Sequence, residues 1–304
     1  MLNTIKLAIW GQNAQESVGL KRILDLAVIY PILILFNLSR HLAVAELTRM
    51  AKYRDLLKLQ PTFRYKYLSS LYLARGMGLA DRYRAQTYHY RFFDRIWDAA
   101  LIDRVFHQGV PVYQAERNGN SYAMLLRLSV DYFYEGEFSL HFTVDGEVIY
   151  IFSFTVVPGS VLGLAAERAM LVTRQQGVRT AFDKIRQATR DFDDVSPKFM
   201  LFHALQGLAM GLGIRTIGGV SGARHISNRD PASAIFLNAY DDFFISLGAI
   251  ANASGFLCLS LPLREKPLKF IAREHRSRTV RRRRFKGEVA RIVRHALPVP
   301  HSSD

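Results

Sequence analysis

The chain has 304 residues, 49% of them hydrophobic and 22% charged, which supplies one large core and excludes a wholly disordered polymer. Its net charge of +15 points to anionic partners: nucleic acid, anionic lipid or phosphorylated substrates. The single cysteine, Cys258, lies in the apolar run 256–261. It excludes an intramolecular disulfide, and no Cys/His spacing resembles a zinc site, so no metal is expected.

Residues 1–11 lack the layout of a signal peptide, so a cytoplasmic chain is expected. The stretch 23–38 is the most membrane-like. Its charge-free run, 26–39, is shorter than the roughly 18–20 residues needed to span a bilayer. Asp25, Pro31 and Asn37 favour a buried helix kinked at the proline. The alternative is a segment dipping into one leaflet, rimmed by Lys21, Arg22, Arg40 and His41. Good helix formers predict a helix over 42–59, stopped by Pro61. Asp81 is placed to cap a long aromatic-rich helix reaching about Phe106.

Gly109 and Pro111 mark a change of period. From Tyr122, apolar and polar residues alternate through Val130, and again over 138–144 after the turn Glu135-Gly136. Asp145-Gly146 suits the positive φ angles of a type I′ turn, and 148–157 follows as a third strand, making an antiparallel meander. A fourth strand is expected over 161–165. An amphipathic helix follows over about 180–192, then a helix capped by Ser196-Pro197 and ended by Gly211 and Gly213. The strand 214–220, a helix near 239–247 and the strand 256–261 complete the core. Between residues 264 and 294, thirteen Lys/Arg face three acids, and Phe285, Val289, Ile292 and Val293 recur at helical spacing. The expectation is an α+β fold with a helical N-terminal layer on a mixed, mainly antiparallel sheet. Its divisions are a helical region (1–110), an α/β core (111–265) and a basic C-terminal helix and tail (266–304).

Several stretches in this order carry a likeness. They are His89-Tyr90, the run 135–140, the run 150–154, Ser196-Pro197-Lys198, the helix-to-strand passage from Ala204 to Ser221, His225, the run 240–243 and the terminal arginines. Together they resemble the VirK/YbjX family of bacterial proteins over roughly residues 45–295, departing from it around 163–166. The resemblance implies a role in virulence, the outer envelope and survival against cationic antimicrobial peptides. It supplies no active-site motif.

The element order is also similar to the GCN5-related acyltransferase fold, which implies acyl-CoA or acyl-carrier protein as donor. Residues 174–179 partly match that fold's pyrophosphate loop, with Arg174 and Gly177 in place and Arg179 where a small residue belongs. Lys198 and Ser221 are further candidates for cofactor binding, since helix amino termini favour anions. Phe244 stands where that fold carries its proton-donating tyrosine, and Tyr240, one turn earlier, is the substitute. Glu137 and His141, four apart on one strand, are a candidate catalytic pair. His225 follows a strand end where α/β sheets place ligands. Arg281, Arg282, Arg283 and Arg284 are the candidate anion-binding group, holding the chain at the cytosolic face of an anionic membrane. The competing readings are a non-catalytic adaptor and a nucleic-acid binder using the same arginines. No recognised nucleic-acid-reading module accompanies them.

Overall fold

The computed structural model describes residues 28–228 and 237–298. Lys21, Arg22 and the start of the apolar stretch lie outside them. Pro31 sits in the first turn of α1 (Tyr30–Phe36), and Val28 and Ile29 before it are already in π-helical geometry. Asn37 leaves helical geometry, its amide donates to the Leu33 carbonyl (2.9 Å), and α2 (Leu38–Leu47) follows. The expected buried helix is in fact half exposed: Tyr30, Leu33 and Ile34 face the core, while Ile32, Leu35 and Phe36 face outward.

The helix expected over 42–59 is interrupted. Met50 adopts an extended ψ, and only a 3₁₀ turn (Ala51–Tyr53) and a single helical turn, α3 (Leu56–Leu59), follow. A second 3₁₀ segment (Phe63–Leu68) leads to α4 (Leu79–Ile96). The long aromatic helix is two helices, because Asp98 caps a new one: its carboxylate accepts the Leu101 N–H (2.7 Å) at the start of α5 (Ala99–His107).

Eight strands then form one sheet. They are β1 (Val110–Arg117), β2 (Asn120–Leu128), β3 (Phe138–Val144), β4 (Glu147–Pro158), β5 (Arg168–Gly177), β6 (Thr216–Val220), β7 (Ile250–Ala251) and β8 (Phe256–Ser260). Their spatial order is β1-β2-β3-β4-β5-β6-β8-β7. Every neighbouring pair is antiparallel except β5 and β6, which run parallel. The sheet is therefore mixed and mainly antiparallel, as the sequence predicts. The meander is present, and Asp145 and Gly146 take φ of 50° and 79° at its turn. The fourth strand is not 161–165, which forms a 3₁₀ turn (Gly159–Leu162) ended by the left-handed Gly163. It is β5, which takes in the residues expected to form a phosphate-binding loop.

α6 (Phe182–Asp191) and α7 (Pro197–Gly211) connect β5 to β6 as a crossover. α8 (Asp242–Ser246) precedes β7, and α9 (Arg273–Arg294) closes the fold. One sheet face carries the large core. Phe138, Leu140, Phe154, Val156, Met170 and Val172 meet Tyr90 and Phe93 of α4, Leu201 and Leu205 of α7, and Val289 and Val293 of α9. α9 lies tight against α7 because Gly207 has no side chain: a Cβ there would sit 2.2 Å from the Ala290 carbonyl oxygen. The opposite, outer face has only a smaller core, built from Tyr72, Leu73, Met77 and Leu162 over Val157, Leu171 and Val220.

Candidate functional site

The parallel pair β5–β6 is short: only Met170, Leu171 and Val172 pair with Ile217, Gly218 and Gly219. Beyond Val172 the strands part. Thr173 is an extra residue, because Val172 pairs with Phe154 while Arg174 pairs with Ser153. The opening lies at the carboxyl ends of the parallel strands, the position where α/β sheets place ligands.

Four polar side chains converge there, from four separate parts of the chain. Arg174, on β5, is ion-paired with Glu135, and its guanidinium lies over the Tyr132 ring, 3.5 Å from the centroid. Glu135 also accepts from the Ser227 hydroxyl (2.7 Å) and stands 3.8 Å from His225 Nε2. His225 Nε2 meets the Tyr240 hydroxyl at 2.8 Å, and its Nδ1 accepts the Ser227 N–H (3.2 Å). With Nδ1 accepting, the neutral ring carries its proton on Nε2, where the Thr173 backbone carbonyl and the Tyr240 hydroxyl share it. All four residues are buried. Burial pushes the His225 pKa down to about 4, with the neighbouring Glu135 carboxylate opposing and Arg174 and Arg75 reinforcing the shift. Burial raises that of Tyr240, and Glu135 adds to this. At neutral pH the histidine is uncharged and the tyrosine holds its proton.

The loop carrying His225 is held from two sides. Arg75 donates to the His225 and Ile226 carbonyls (3.2 and 3.1 Å), and Asp241 accepts the Gly222 N–H (2.6 Å). Ser221 opens this turn and makes no side-chain cap bond.

The patch continues across the outer face. Ser139, Ser153 and Arg174 lie in register on β3, β4 and β5. His141 Nε2 bonds the Ser139 hydroxyl (2.9 Å), and burial, then Arg127 and Arg174, push its pKa down to about 4. Here Arg174 Nε, His141 Nδ1 and Ser153 Oγ are buried with no hydrogen-bond partner, as is Gln175 Oε1 beside Tyr240. Eight further buried polar atoms elsewhere among the described residues also have no protein partner, so it is the convergence of charged and titratable groups that marks the patch.

Arg174, His225 and Tyr240 thus come together, from strands and loops far apart in sequence, while His141 lies further along the outer face, joined to Arg174 through the register of Ser139 and Ser153. Glu137 does not join them. Gly136, at φ 146°, lets its two neighbours diverge, and a Cβ there would meet the Phe154 nitrogen at 2.9 Å. The Glu137 carboxylate turns instead into the layer beneath the N-terminal helices. There it pairs with Lys66 (2.7 Å) and accepts from the Tyr72 and Tyr90 hydroxyls. Gly177 is the last residue of β5, opposite Tyr150, and so belongs to a strand and not to a loop at a helix start. Lys198 donates to the Ala239 carbonyl (2.6 Å), lies 4.1 Å from the Phe243 ring centroid, and is pulled down to about 8 by burial, so its charge serves the chain itself.

The terminal arginines are likewise engaged. Arg281 pairs with Asp193 (3.0 Å), Arg282 with Asp194 (3.3 Å) and Arg283 with Glu265 (3.2 Å); Arg284 makes no ion pair among the described residues. These pairs are exposed or half-buried and individually weak, so they dilute the positive field without abolishing it.

Sequence reading missed Glu135, which reads as a turn residue, and Arg75. Two other features lie away from the patch. A cleft of about 870 Å³ opens at the amino ends of β5 and β6, lined by Arg168, Arg215 and Arg294 with Ile96, Leu212 and Leu297. Asp55, Asp103 and His107 approach one another at the surface, where Lys58 already pairs with Asp55.

The model of a family described as a protein of unknown function, DUF535, matches residues 28–294. The chain belongs to this family. No curated protein and no solved structure matches it. For DUF535 the match takes in the whole patch, from Glu135 to Tyr240, together with α1, α2 and α9.

Proposed function

We propose that this DUF535 chain is an acyl-transfer enzyme whose reaction centre is the patch at the parting of β5 and β6. The observation that carries the reading is the convergence of Arg174, His225, Tyr240 and Glu135 beside buried, unsatisfied polar atoms at the carboxyl ends of the parallel strands. The order of elements supports it: a meander, helices, a parallel strand, a helix and a final strand, the succession that the acyltransferase likeness implies.

In this reading a thioester donor, acyl-CoA or acyl-carrier protein, lies along the unpaired end of β5. The acceptor's amine or hydroxyl attacks the thioester carbonyl, the carbon–sulfur bond breaks, the departing thiolate takes a proton from Tyr240, and the proton that the acceptor's nitrogen or oxygen loses as its bond to the carbonyl carbon forms restores the Tyr240 hydroxyl. The His225 Nε2–H and the Gln175 N–H (3.5 Å) both point at the Tyr240 oxygen and stabilise the phenolate left behind. Arg174, unsatisfied at Nε, binds the anionic part of donor or acceptor. The VirK/YbjX resemblance supplies the setting: an envelope lipid or amine as acceptor, with consequences for virulence and for resistance to cationic antimicrobial peptides.

The test is a thermal-shift titration with acetyl-coenzyme A and a long-chain acyl-coenzyme A, paired with a free-thiol assay. The expected result is stabilisation of the native protein and slow thiol release. The Tyr240→Phe variant should bind the donor while losing on the order of 100-fold in thiol release, the usual scale of a lost general acid. No shift with either donor would remove the acyl-transfer reading and favour an adaptor.

A further inference from the structure

α1 and α2 present an apolar ridge to the outside. Val28, Ile29, Ile32, Leu35 and Phe36 follow helical spacing on one side of the first helix. Leu38 and Leu42 continue the ridge on the second, and Leu35 and Phe36 are 74% and 85% exposed. Residues 28–36 carry no charge, and their one polar side chain, Tyr30, turns inward. Scattered exposed apolar residues are ordinary, but seven on one continuous ridge are not. No described helix is long and apolar enough to cross a membrane, so the ridge does not belong to a spanning segment.

The ridge is bordered by positive charge. Arg40 of α2 lies over the Tyr83 ring of α4 (5.9 Å), and from there α4 exposes Arg84, Arg91 and Arg95 beside Tyr88. The acids among them are Asp81, paired with Arg84, Glu46, 3.9 Å from Arg91, Asp94, 3.5 Å from Lys52, and Glu167, paired with Arg168 and near Arg95. Arg40, Arg49 and Arg95 make no ion pair among the described residues. A charge-free apolar ridge flanked by arginines is the pattern of an interfacial helix, with its side chains among acyl chains and its cations at the headgroups. Phe36 is the last residue of α1, and Asn37 leaves helical geometry before α2 begins.

We infer that α1 and α2 dock the protein onto an anionic lipid leaflet, with Leu35, Phe36, Leu38 and Leu42 inserted and the arginines of α4 on the phosphates. This surface is distinct from the arginine-rich α9, and the inference stands independently of the acyl-transfer reading.

The test places a fluorescent reporter at the end of α1, Phe36→Trp, in the full chain, and adds vesicles of phosphatidylglycerol and phosphatidylethanolamine or of phosphatidylcholine alone. The expected result is a solvent-exposed emission that shifts to the blue with the anionic vesicles and much less with the neutral ones. In sedimentation with anionic vesicles, Leu35→Ser with Phe36→Ser should weaken binding on the order of 100-fold, the scale of losing two buried apolar side chains, without lowering the melting temperature. Three outcomes would overturn the inference. Emission already blue before vesicles are added would mean that the protein's own chain covers the ridge. A concentration-dependent blue shift without lipid would mean that a second copy covers it. Equal sedimentation of the serine variant and the native protein would mean that lipid is bound elsewhere.

Discussion

Replacing Lys66 by methionine is expected to destabilise the protein by about 3–5 kcal/mol, the scale for leaving one charge of a buried pair without its partner. Lys66 and Glu137 are both fully buried. Among the described residues the lysine's only other hydrogen bond is to Gln60 Oε1 (3.0 Å), and Gln60 in turn donates to the Ser129 carbonyl (2.7 Å). Burial pulls the Lys66 pKa down, and the Glu137 carboxylate resists this. Without the ammonium group, Glu137 faces only the Tyr72 and Tyr90 hydroxyls and must take up a proton or water. Lys66→Met with Glu137→Gln removes both charges and still lets the hydroxyls donate, so most of the loss should return. Urea unfolding midpoints of the two variants check this. A single variant no weaker than the double would show that the ion pair is not the linchpin of the layer between α4 and the sheet.

Acid should unfold the protein well above the carboxylate range. Burial holds His141 and His225 at about 4 and His203 at about 3, and His89, whose Nδ1 accepts the Val156 N–H (3.0 Å), lies far below its ordinary value. Each ring is neutral in the fold but takes up a proton near pH 6.5 once the chain unfolds, so falling pH favours the unfolded state. Stability from these groups is complete above about pH 6.5 and is lost as pH falls toward 4, by about 1.4 kcal/mol per pH unit for each histidine. Against a typical total of about 5–15 kcal/mol, four such groups are enough to unfold the protein near pH 5. A melting temperature that is flat between pH 7 and 5 would contradict this. His203→Gln, placed away from the patch, should flatten part of the slope.

Much of the sheet was legible because alternation and turn chemistry are local. Strands 138–144 and 148–157 with the Asp145-Gly146 turn correspond to β3 and β4 within a residue or so. Three strands have no counterpart in the sequence reading: the two-residue β7, β1 and β5. β1 ends in Asn118-Gly119, whose φ angles of 47° and 81° form a hairpin of the same kind, but Pro111 and the polar run 114–117 mask its alternation. β5 has arginines near both ends and two glutamines where it leaves the shelter of β6, so its polar end reads as a loop.

The site was legible only in part. His225 was found from its place after a strand, and Tyr240 from a one-turn offset to Phe244, which packs against Gly219 on the helical face. Glu135 carries no local sign of its role, because its partners Arg174 and Ser227 are brought to it by tertiary folding. Lys66 is hidden for the same reason: nothing in its neighbourhood marks a lysine that will be wholly enclosed.

Hydrogen exchange of the native protein with and without a long-chain acyl-coenzyme A tests the location of the centre most directly. The account predicts slowed exchange in residues 174–177 and 221–227, at the parting of β5 and β6. Protection confined to residues 210–216 and 294–298, around the arginine-lined cleft at the other end of the sheet, would contradict it.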